Sequence, residues 1–257
     1  MRNLRVISAF CNVGQQIPGV ELGSTRLLKY ISQSNTVDLI TNFESNNSYI
    51  KLNNLVKKSL WHSRTCILGG DHSICCATVP AFFDVYKENG HLLWIDAHAD
   101  INTKYASLSG NTHGMPLAKV FGLEDNVVIS NYSPSFSQLT YLGVRDLDLF
   151  EKNIIISKNI KCFSSPTDET KLMEHLKNKT LYISFDVDSL EPKEMPCTGT
   201  KVSNGIQIDK LCTLIQNINK NCNIKCFDIV EYNPKIGTKD DVMLSEINIA
   251  KYIDAIS

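Results

Sequence analysis

Short runs of apolar residues recur along the chain and are the clearest guide to its fold. Their length and continuous apolar character are typical of strands in a parallel sheet that is covered on both faces. The runs are Thr65–Leu68, His91–Ile95, Leu139–Val144, Asn153–Ile156, Thr180–Phe185 and Asn223–Val230.

Between these runs lie longer stretches that we predict to be helices, and more polar stretches that we predict to be surface loops. The alternation indicates βαβ units around one sheet, so we expect an α/β fold with a mainly parallel central sheet, formed by residues 1–257 as a single domain. The helical stretches are Ser73–Glu88, Leu117–Phe121, Asp168–Asn178 and Asp209–Asn219, and the predicted loops are Glu44–Asn54 and Asp125–Ser137.

Composition argues against some classes of binding partner. The formal net charge of -1 provides no basic surface for nucleic acid or for an anionic membrane. No apolar stretch approaches the ~20 residues of a membrane helix, and the first apolar run is too short for a secretory signal. The nine cysteines are scattered and odd in number, which favours free thiols in a reducing compartment, and we expect a cytoplasmic protein.

Three polar clusters follow predicted strands. They are Gly69–Ser73, Asp96–Asp100 and Ser184–Asp188. Each begins where a strand is predicted to end, and open parallel sheets bind ligands outside the carboxyl ends of their strands. Alternate spacing within the second and third clusters would send their acidic and histidine side chains to one side of an extended segment.

These clusters supply six carboxylate and imidazole groups. Taken alone, each is also compatible with a turn or a helix cap. Together they would repel one another without a counter-charge, which two divalent cations would provide. Oxygen and nitrogen ligands without cysteine favour manganese over structural zinc, and paired metals activate water for hydrolysis. The candidate metal ligands are His72, Asp96, His98, Asp100, Asp186 and Asp188.

The clusters also carry a family resemblance. Gly-Gly-Asp-His-Ser, Asp-Ala-His-Ala-Asp and Ser-Phe-Asp-Val-Asp-Ser-Leu resemble the signature motifs of the ureohydrolases, the superfamily of arginases and agmatinases. Matching segments extend over almost the whole chain, in order and with similar spacing. They are Gly14-Gln15, Gly19–Gly23, Ser109–Pro116, Gly143–Asp148, Thr198–Thr200 and Asp228–Pro234.

This resemblance implies a three-layer α/β/α fold and two Mn²⁺ ions per subunit. One ion would be held by His72, Asp96, Asp100 and Asp186, and the other by Asp96, His98, Asp186 and Asp188. Membership would also imply a homo-oligomer, a trimer or hexamer, although this chain is shorter than most arginases. Departures from the usual pattern occur at positions that are not ligands, namely Ser24, Leu28, Leu149, Ser189 and Glu191.

Within the superfamily the arginases are the most similar, because of the segment from Asp100 to Gly114. Asn102, Ser109 and Asn111 could donate hydrogen bonds to an amino acid's α-carboxylate, and by resemblance Asp148 could pair with its α-ammonium. Agmatine lacks the carboxylate, and a site with unpaired polar groups rejects such a ligand. Ser109 and Asn111 could also simply satisfy their own loop.

The expected reaction is hydrolysis of L-arginine to L-ornithine and urea. Glu231 resembles the glutamate that binds the guanidinium, and Thr200 resembles a residue that lines the same cleft. Asp100 would move a proton from the attacking hydroxide to the leaving amine, and His113 would exchange protons with solvent.

Other functions remain open on this sequence. An agmatinase or other guanidino hydrolase would keep the metal ligands and Glu231. A related zinc deacetylase would use a single metal site, which six ligands exceed. A binding protein could also have kept the metal site for stability.

Overall fold

The computed structural model describes residues 4–31, 36–40, 43, 45–164 and 168–257. Their strands form one eight-stranded parallel sheet with the order β2-β1-β3-β8-β7-β4-β5-β6. The strands are β1 (Leu4–Ala9), β2 (Thr36–Ile40), β3 (Arg64–Leu68), β4 (Gly90–Ile95), β5 (Leu139–Leu142), β6 (Lys161–Phe163), β7 (Thr180–Asp186) and β8 (Asn223–Val230).

Helices cover both faces of this sheet. On one face the core includes Leu27, Leu176 and Ile253, and on the other it includes Val56 and Phe82. This arrangement confirms the predicted α/β class and its three layers. The helices are α1 (Glu21–Leu27), α2 (Asn46–Leu60), α3 (Cys75–Tyr86), α4 (Pro116–Val120), α5 (Leu149–Ser157), α6 (Glu169–Leu176), α7 (Ile208–Asn221) and α8 (Lys239–Ile256).

Five of the six predicted strands are confirmed as β3, β4, β5, β7 and β8. The sixth prediction is wrong, because Asn153–Ile156 belongs to helix α5. A run of branched apolar residues fits either element, and here a capped helix start at Asp148 decides the outcome.

The predicted loop Glu44–Asn54 is also wrong over the residues that the structure describes. Helix α2 begins at Asn46, and its buried Leu52, Val56 and Leu60 recur every four residues. That spacing places one narrow apolar stripe against the sheet, so a largely polar sequence still forms a packed helix. The segment Asp125–Ser137 is irregular until the 3₁₀ turn Phe136–Gln138, as predicted.

The sheet order determines where the site forms. Strands β3, β8, β7 and β4 are consecutive neighbours, so their carboxyl ends lie side by side at one edge. The first two polar clusters follow β3 and β4, and the third comprises the last residues of β7 and the start of the turn after it. Glu231 follows β8, between the first and third of them. No helix in the described part of the chain is long and apolar enough to cross a membrane.

Candidate active site

The first candidate metal group is centred on His72, which starts a 3₁₀ turn just after β3. Its Nδ1 lies 3.2 Å from a carboxylate oxygen of Asp96. The same atom lies 3.1 Å from an oxygen of Asp100 and 3.1 Å from one of Asp186. All four residues are buried. One imidazole nitrogen therefore faces three carboxylates in a region with little solvent.

The other side of the His72 ring fixes its orientation. Its Nε2 lies 2.8 Å from Ser184 Oγ, which donates a hydrogen bond to Asp228. The ring stacks on Trp94 with centroids 4.0 Å apart. A partner on one ring nitrogen selects the tautomer and directs the other nitrogen at a ligand. Here that arrangement leaves Nδ1 facing the carboxylates.

The second group is centred on His98. Its Nδ1 lies 3.0 Å from an oxygen of Asp188 and 3.5 Å from one of Asp96. Asp96 thus takes part in both groups, with one carboxylate oxygen directed to each histidine. A carboxylate that is shared between two ligand groups is the geometry expected of a bridging ligand.

Turns, and not extended alternation, bring these side chains together. The chain bends from Asp96 onward, and Asp100 has a positive φ of 51°. Residues Val187–Ser189 form a 3₁₀ turn after β7. Our expectation of one-sided display on an extended segment was therefore wrong. The alternative role as turn caps holds in part, because Asp186 accepts a hydrogen bond from the Asp188 backbone N–H.

The electrostatics of the site call for positive charge. Burial raises the pKa of Asp186, and the neighbouring charges of Asp188 and Asp96 raise it further. Burial and the charge of Asp96 raise the pKa of Asp100 to about 6. Burial lowers the pKa of His98, but hydrogen bonds to Asp188 and Asp96 outweigh it and raise that pKa to about 12. Crowded carboxylates of this kind are stabilised by cations.

The residues present fit a pair of divalent ions. In two groups, His72 with Asp96 and Asp186, and Asp96 with His98 and Asp188, the potential ligand atoms lie within 4.8 Å of one another. Their imidazole nitrogens and carboxylate oxygens suit manganese. Asp100 would join the first group through its position beside His72.

A third group, which the sequence did not predict, comprises His72, Cys75 and Asp228. Asp228 accepts hydrogen bonds from Ser184, from the Phe185 N–H and from Tyr182. A carboxylate whose oxygens already accept several donors is better explained as an anchor for the His72 ring than as a metal ligand.

A cavity of about 130 Å³ opens over these groups, which is room for a small molecule. Four of the five residues predicted only for substrate binding line it, and Asp148 does not. Thr200 donates a hydrogen bond of 2.7 Å to Asp188 Oδ2. The lining residues are His98, Asp100, Asn102, Ser107, Ser109, Asn111, His113, Gly114, Glu151, Asp186, Asp188 and Thr200.

Asp148 instead caps helix α5. Its side chain accepts a hydrogen bond from the Glu151 backbone N–H, and the Glu151 side chain accepts one from the Asp148 N–H. The Asn102 amide also donates to Asp148. Asp148 is therefore hydrogen-bonded to two residues that line the cavity, Asn102 and Glu151.

Glu151 was missed by the sequence interpretation. It is buried, lines the cavity, and has a pKa raised to about 7 by burial and by the charge of Asp100. The signal that could have found it is Asp148 followed three residues later by Glu151. That spacing is a capping box, which starts a helix and fixes its third residue beside the cap.

Glu231 and His113 form a pair next to the cavity. His113 Nδ1 lies 3.0 Å from Glu231 Oε1, and the same oxygen accepts a hydrogen bond from the His72 N–H. Burial lowers the pKa of His113, but the hydrogen bond to Glu231 outweighs it and raises that pKa to about 9. His113 lines the cavity, whereas Glu231, which directly follows β8, is not among the lining residues and contacts His113.

Comparison with known proteins decides the family. The model of the Arginase family matches residues 6–253. The chain belongs to the arginase family. This confirms the resemblance carried by the three polar clusters.

The share of a relative's length that aligns with this chain differs between members of the family. The Saccharomyces cerevisiae arginase is 35% identical over 73% of this chain, which corresponds to 60% of the yeast protein. The Glaciozyma antarctica arginase is 36% identical over 67% of this chain and 55% of its own length. The chain thus spans little more than half of the length of these two relatives. The Staphylococcus aureus arginase is 32% identical over 91% of both chains.

Solved structures of arginases match the whole fold. The Entamoeba histolytica arginase in complex with L-ornithine has a TM-score of 0.88 at 27% identity, with 99% of this chain and 98% of that chain covered. The Bacillus subtilis arginase has a TM-score of 0.85 at 26% identity, with the same coverage. The parallel sheet and its edge are therefore those of the arginase fold.

Proposed function

We propose that this member of the arginase family is a binuclear manganese hydrolase that converts L-arginine to L-ornithine and urea. The observation that carries the proposal is a cage of four carboxylates and two imidazoles that opens into a small cavity lined by amide, hydroxyl and carboxylate groups. The resemblance to an arginase structure with L-ornithine bound supports the same substrate class.

The cage would hold the ions through His72, Asp96, His98, Asp100, Asp186 and Asp188. Two divalent ions in this place would supply a hydroxide at neutral pH by lowering the pKa of a water. The protein's own part is to hold the carboxylates close together and the two Nδ1 atoms aimed inward. The buried contacts of His72 with Ser184 and Trp94 support that role.

We assign the guanidinium to Glu231. Its contacts with His72 and His113 both use Oε1. We therefore assign the second oxygen, Oε2, to a guanidinium N–H. A charge-assisted hydrogen bond of this kind would fix the planar group in line with the nucleophile.

Proton transfer is assigned to Asp100 and His113. Asp100 lies in the cage and lines the cavity, so it is placed to accept a proton and to return it. It would take the proton of the attacking hydroxide and pass it to the leaving amine. His113 lies at the cavity wall and would exchange protons with solvent.

The amino-acid end of the substrate would contact other residues of the cavity lining. Asn102, Ser109 and Asn111 line the cavity, and we propose them as donors to the α-carboxylate. Glu151 lines the cavity and is not one of the candidate metal ligands, whereas Asp148 does not line it, so we transfer the pairing with the α-ammonium to Glu151. Asp148 would act through Asn102 and Glu151.

A side-by-side assay of urea release from L-arginine, agmatine and 4-guanidinobutyrate tests this assignment. With manganese present, we expect arginine to have the highest kcat/KM, because it alone supplies both the carboxylate and the ammonium. A preference for agmatine would overturn the arginine assignment and leave a guanidino hydrolase. One zinc ion per purified chain would support the deacetylase alternative.

We also propose, by family membership, that the chain forms a homo-oligomer and acts in the cytoplasm. Light scattering of the purified protein would measure the first, with a trimer or hexamer expected. Fractionation of the source cells would test the second.

A further inference from the structure

A closed ring of hydrogen bonds links the segment Cys11–Gly14 to the metal-binding loop, Gly70–Ser73, and to the His113 loop, Asn111–Met115. The Gly14 N–H donates to Asp71 Oδ2 at 2.8 Å, and the Gly14 carbonyl accepts from the His113 N–H at 3.0 Å. His113 Nδ1 faces Glu231 Oε1, which accepts from the His72 N–H next to Asp71. Because His72 directly follows Asp71 in the sequence, these contacts form a closed path.

The segment approaches the metal-binding loop closely enough to require glycine on both sides. A Cβ at Gly14 would lie 2.4 Å from Asp71 Oδ1, and a Cβ at Gly70 would lie 1.8 Å from the Cys11 carbonyl oxygen. Asp71 and Gly14 are buried. Atoms that close cannot accept an added methyl group without moving, so the contact holds the two loops in one relative position.

Asp71 uses its two oxygens for different purposes. Oδ1 accepts the Ser73 N–H at 2.9 Å and so caps the turn that carries His72. Oδ2 accepts the Gly14 N–H and extends across to a different segment of the chain. A residue that merely started a turn would need only the first contact.

We infer that Asp71 and Gly14 are positioning residues that hold His113 against Glu231. This inference rests on the proposed function, which gives His113 and Glu231 their roles. Asp71 acts through the Gly14 backbone, whose N–H and carbonyl, in the peptide units on either side of its Cα, face Asp71 and His113 respectively. Moving Gly14 would displace the His113 backbone and with it the imidazole.

A double-mutant cycle between Gly14→Ala and His113→Ala separates this role from general stability. We expect Gly14→Ala to lower kcat about 10-fold or more when His113 is present, and less than about 2-fold when His113 is already alanine, because coupled residues give non-additive effects. KM for arginine and the manganese content per chain should stay close to the parent values. Asn12→Ala, an exposed change in the same segment, is the matched control and should leave kcat unchanged.

Equal fold losses in both backgrounds, or no loss from Gly14→Ala at all, would overturn the inference. If Gly14→Ala fails to fold, Asp71→Asn takes its place in the cycle, because asparagine keeps only one of the two acceptor oxygens.

Hydrogen exchange tests the ring without any assay of activity. We expect the peptide containing Asn111–Met115 to exchange faster in Gly14→Ala and in Asp71→Asn than in the parent or in Asn12→Ala. An unchanged exchange rate of this peptide in both variants would contradict the proposed ring of hydrogen bonds. If the parent releases no urea from any guanidino compound, the proposed function fails, and this exchange measurement still decides whether Asp71 and Gly14 hold the His113 backbone.

Discussion

At the scale of single residues, some carboxylates of the site are candidate metal ligands and also accept hydrogen bonds from the backbone of their own loops. Asp96 Oδ1 accepts the His98 N–H, and Asp186 Oδ1 accepts the Asp188 N–H, so each shapes the loop that carries its fellow ligand. The six candidate ligands could be chosen from the sequence because residue types and predicted strand ends can be identified in it. The sequence did not separate Asp148 from Glu151, because that choice depends on which side chain the helix start turns toward the cavity.

The prediction that belongs to this scale concerns Glu151. Glu151→Gln should raise KM for arginine about 10- to 100-fold, because a hydrogen bond to a charged group contributes about 1.5–3 kcal/mol. KM for a guanidino acid that lacks the α-amino group should change little, as measured by urea release. Glu174→Gln, an exposed change on α6, is the control. Equal effects on both substrates would argue against an ammonium contact.

At the scale of secondary-structure elements, buried strands were easier to predict than amphipathic helices. The apolar runs of β3, β4 and β7 are continuous because both faces of the sheet are covered. Helix α2 buries a narrow stripe under an otherwise polar sequence, and helix α5 presents a strand-like run of isoleucines. In both cases tertiary packing and caps outweigh local composition, so sequence patterns alone gave the wrong element.

Helix α8 is tied to α1 by a buried carboxylate. Glu246 accepts hydrogen bonds from Arg26 at 2.5 Å, Lys29 at 2.6 Å and Tyr232 at 2.9 Å. Burial raises the pKa of Glu246, but hydrogen bonds from Lys29 and Arg26 outweigh it and lower that pKa to about 2. Tyr232 directly follows Glu231, so this cluster also supports the end of β8.

This lowered pKa predicts how stability depends on pH. The contribution of Glu246 is present above the unfolded-state pKa near 4.5 and is lost as the pH falls toward about 2. Glu246→Gln should therefore lower the free energy of unfolding by about 1–3 kcal/mol at pH 7, and by less at pH 4 and pH 3. Urea denaturation at each pH measures it, with the exposed Asp254→Asn on α8 as control. A difference that does not shrink at low pH would contradict the ion cluster.

At the scale of the whole molecule, the sheet order brings together residues that are far apart in sequence. His72 and Asp186 are 114 positions apart, yet they lie at the carboxyl ends of β3 and β7, and only β8 separates these two strands. The parallel-strand rule predicted this meeting at one edge of the sheet. The order of the strands, the ring through Gly14 and the bends around Asp100 could not be predicted, because they arise from packing between distant segments.

Removing the metals should destabilise the folded protein. Without cations the cage leaves four crowded carboxylates, so chelation should lower Tm by several degrees near neutral pH. Differential scanning calorimetry, with metal loss verified, measures the shift. In Asp96→Asn, which removes the carboxylate common to both groups, the shift should be smaller. An unchanged Tm after complete metal loss would contradict the cage.

The most direct test of the account is the product balance from arginine with the metal content controlled. Purified protein loaded with manganese should contain two ions per chain and release ornithine and urea in equal amounts. The chelated protein should release neither until manganese is restored. Protein that holds two manganese ions per chain and yet forms no ornithine or urea from arginine would contradict the central claim.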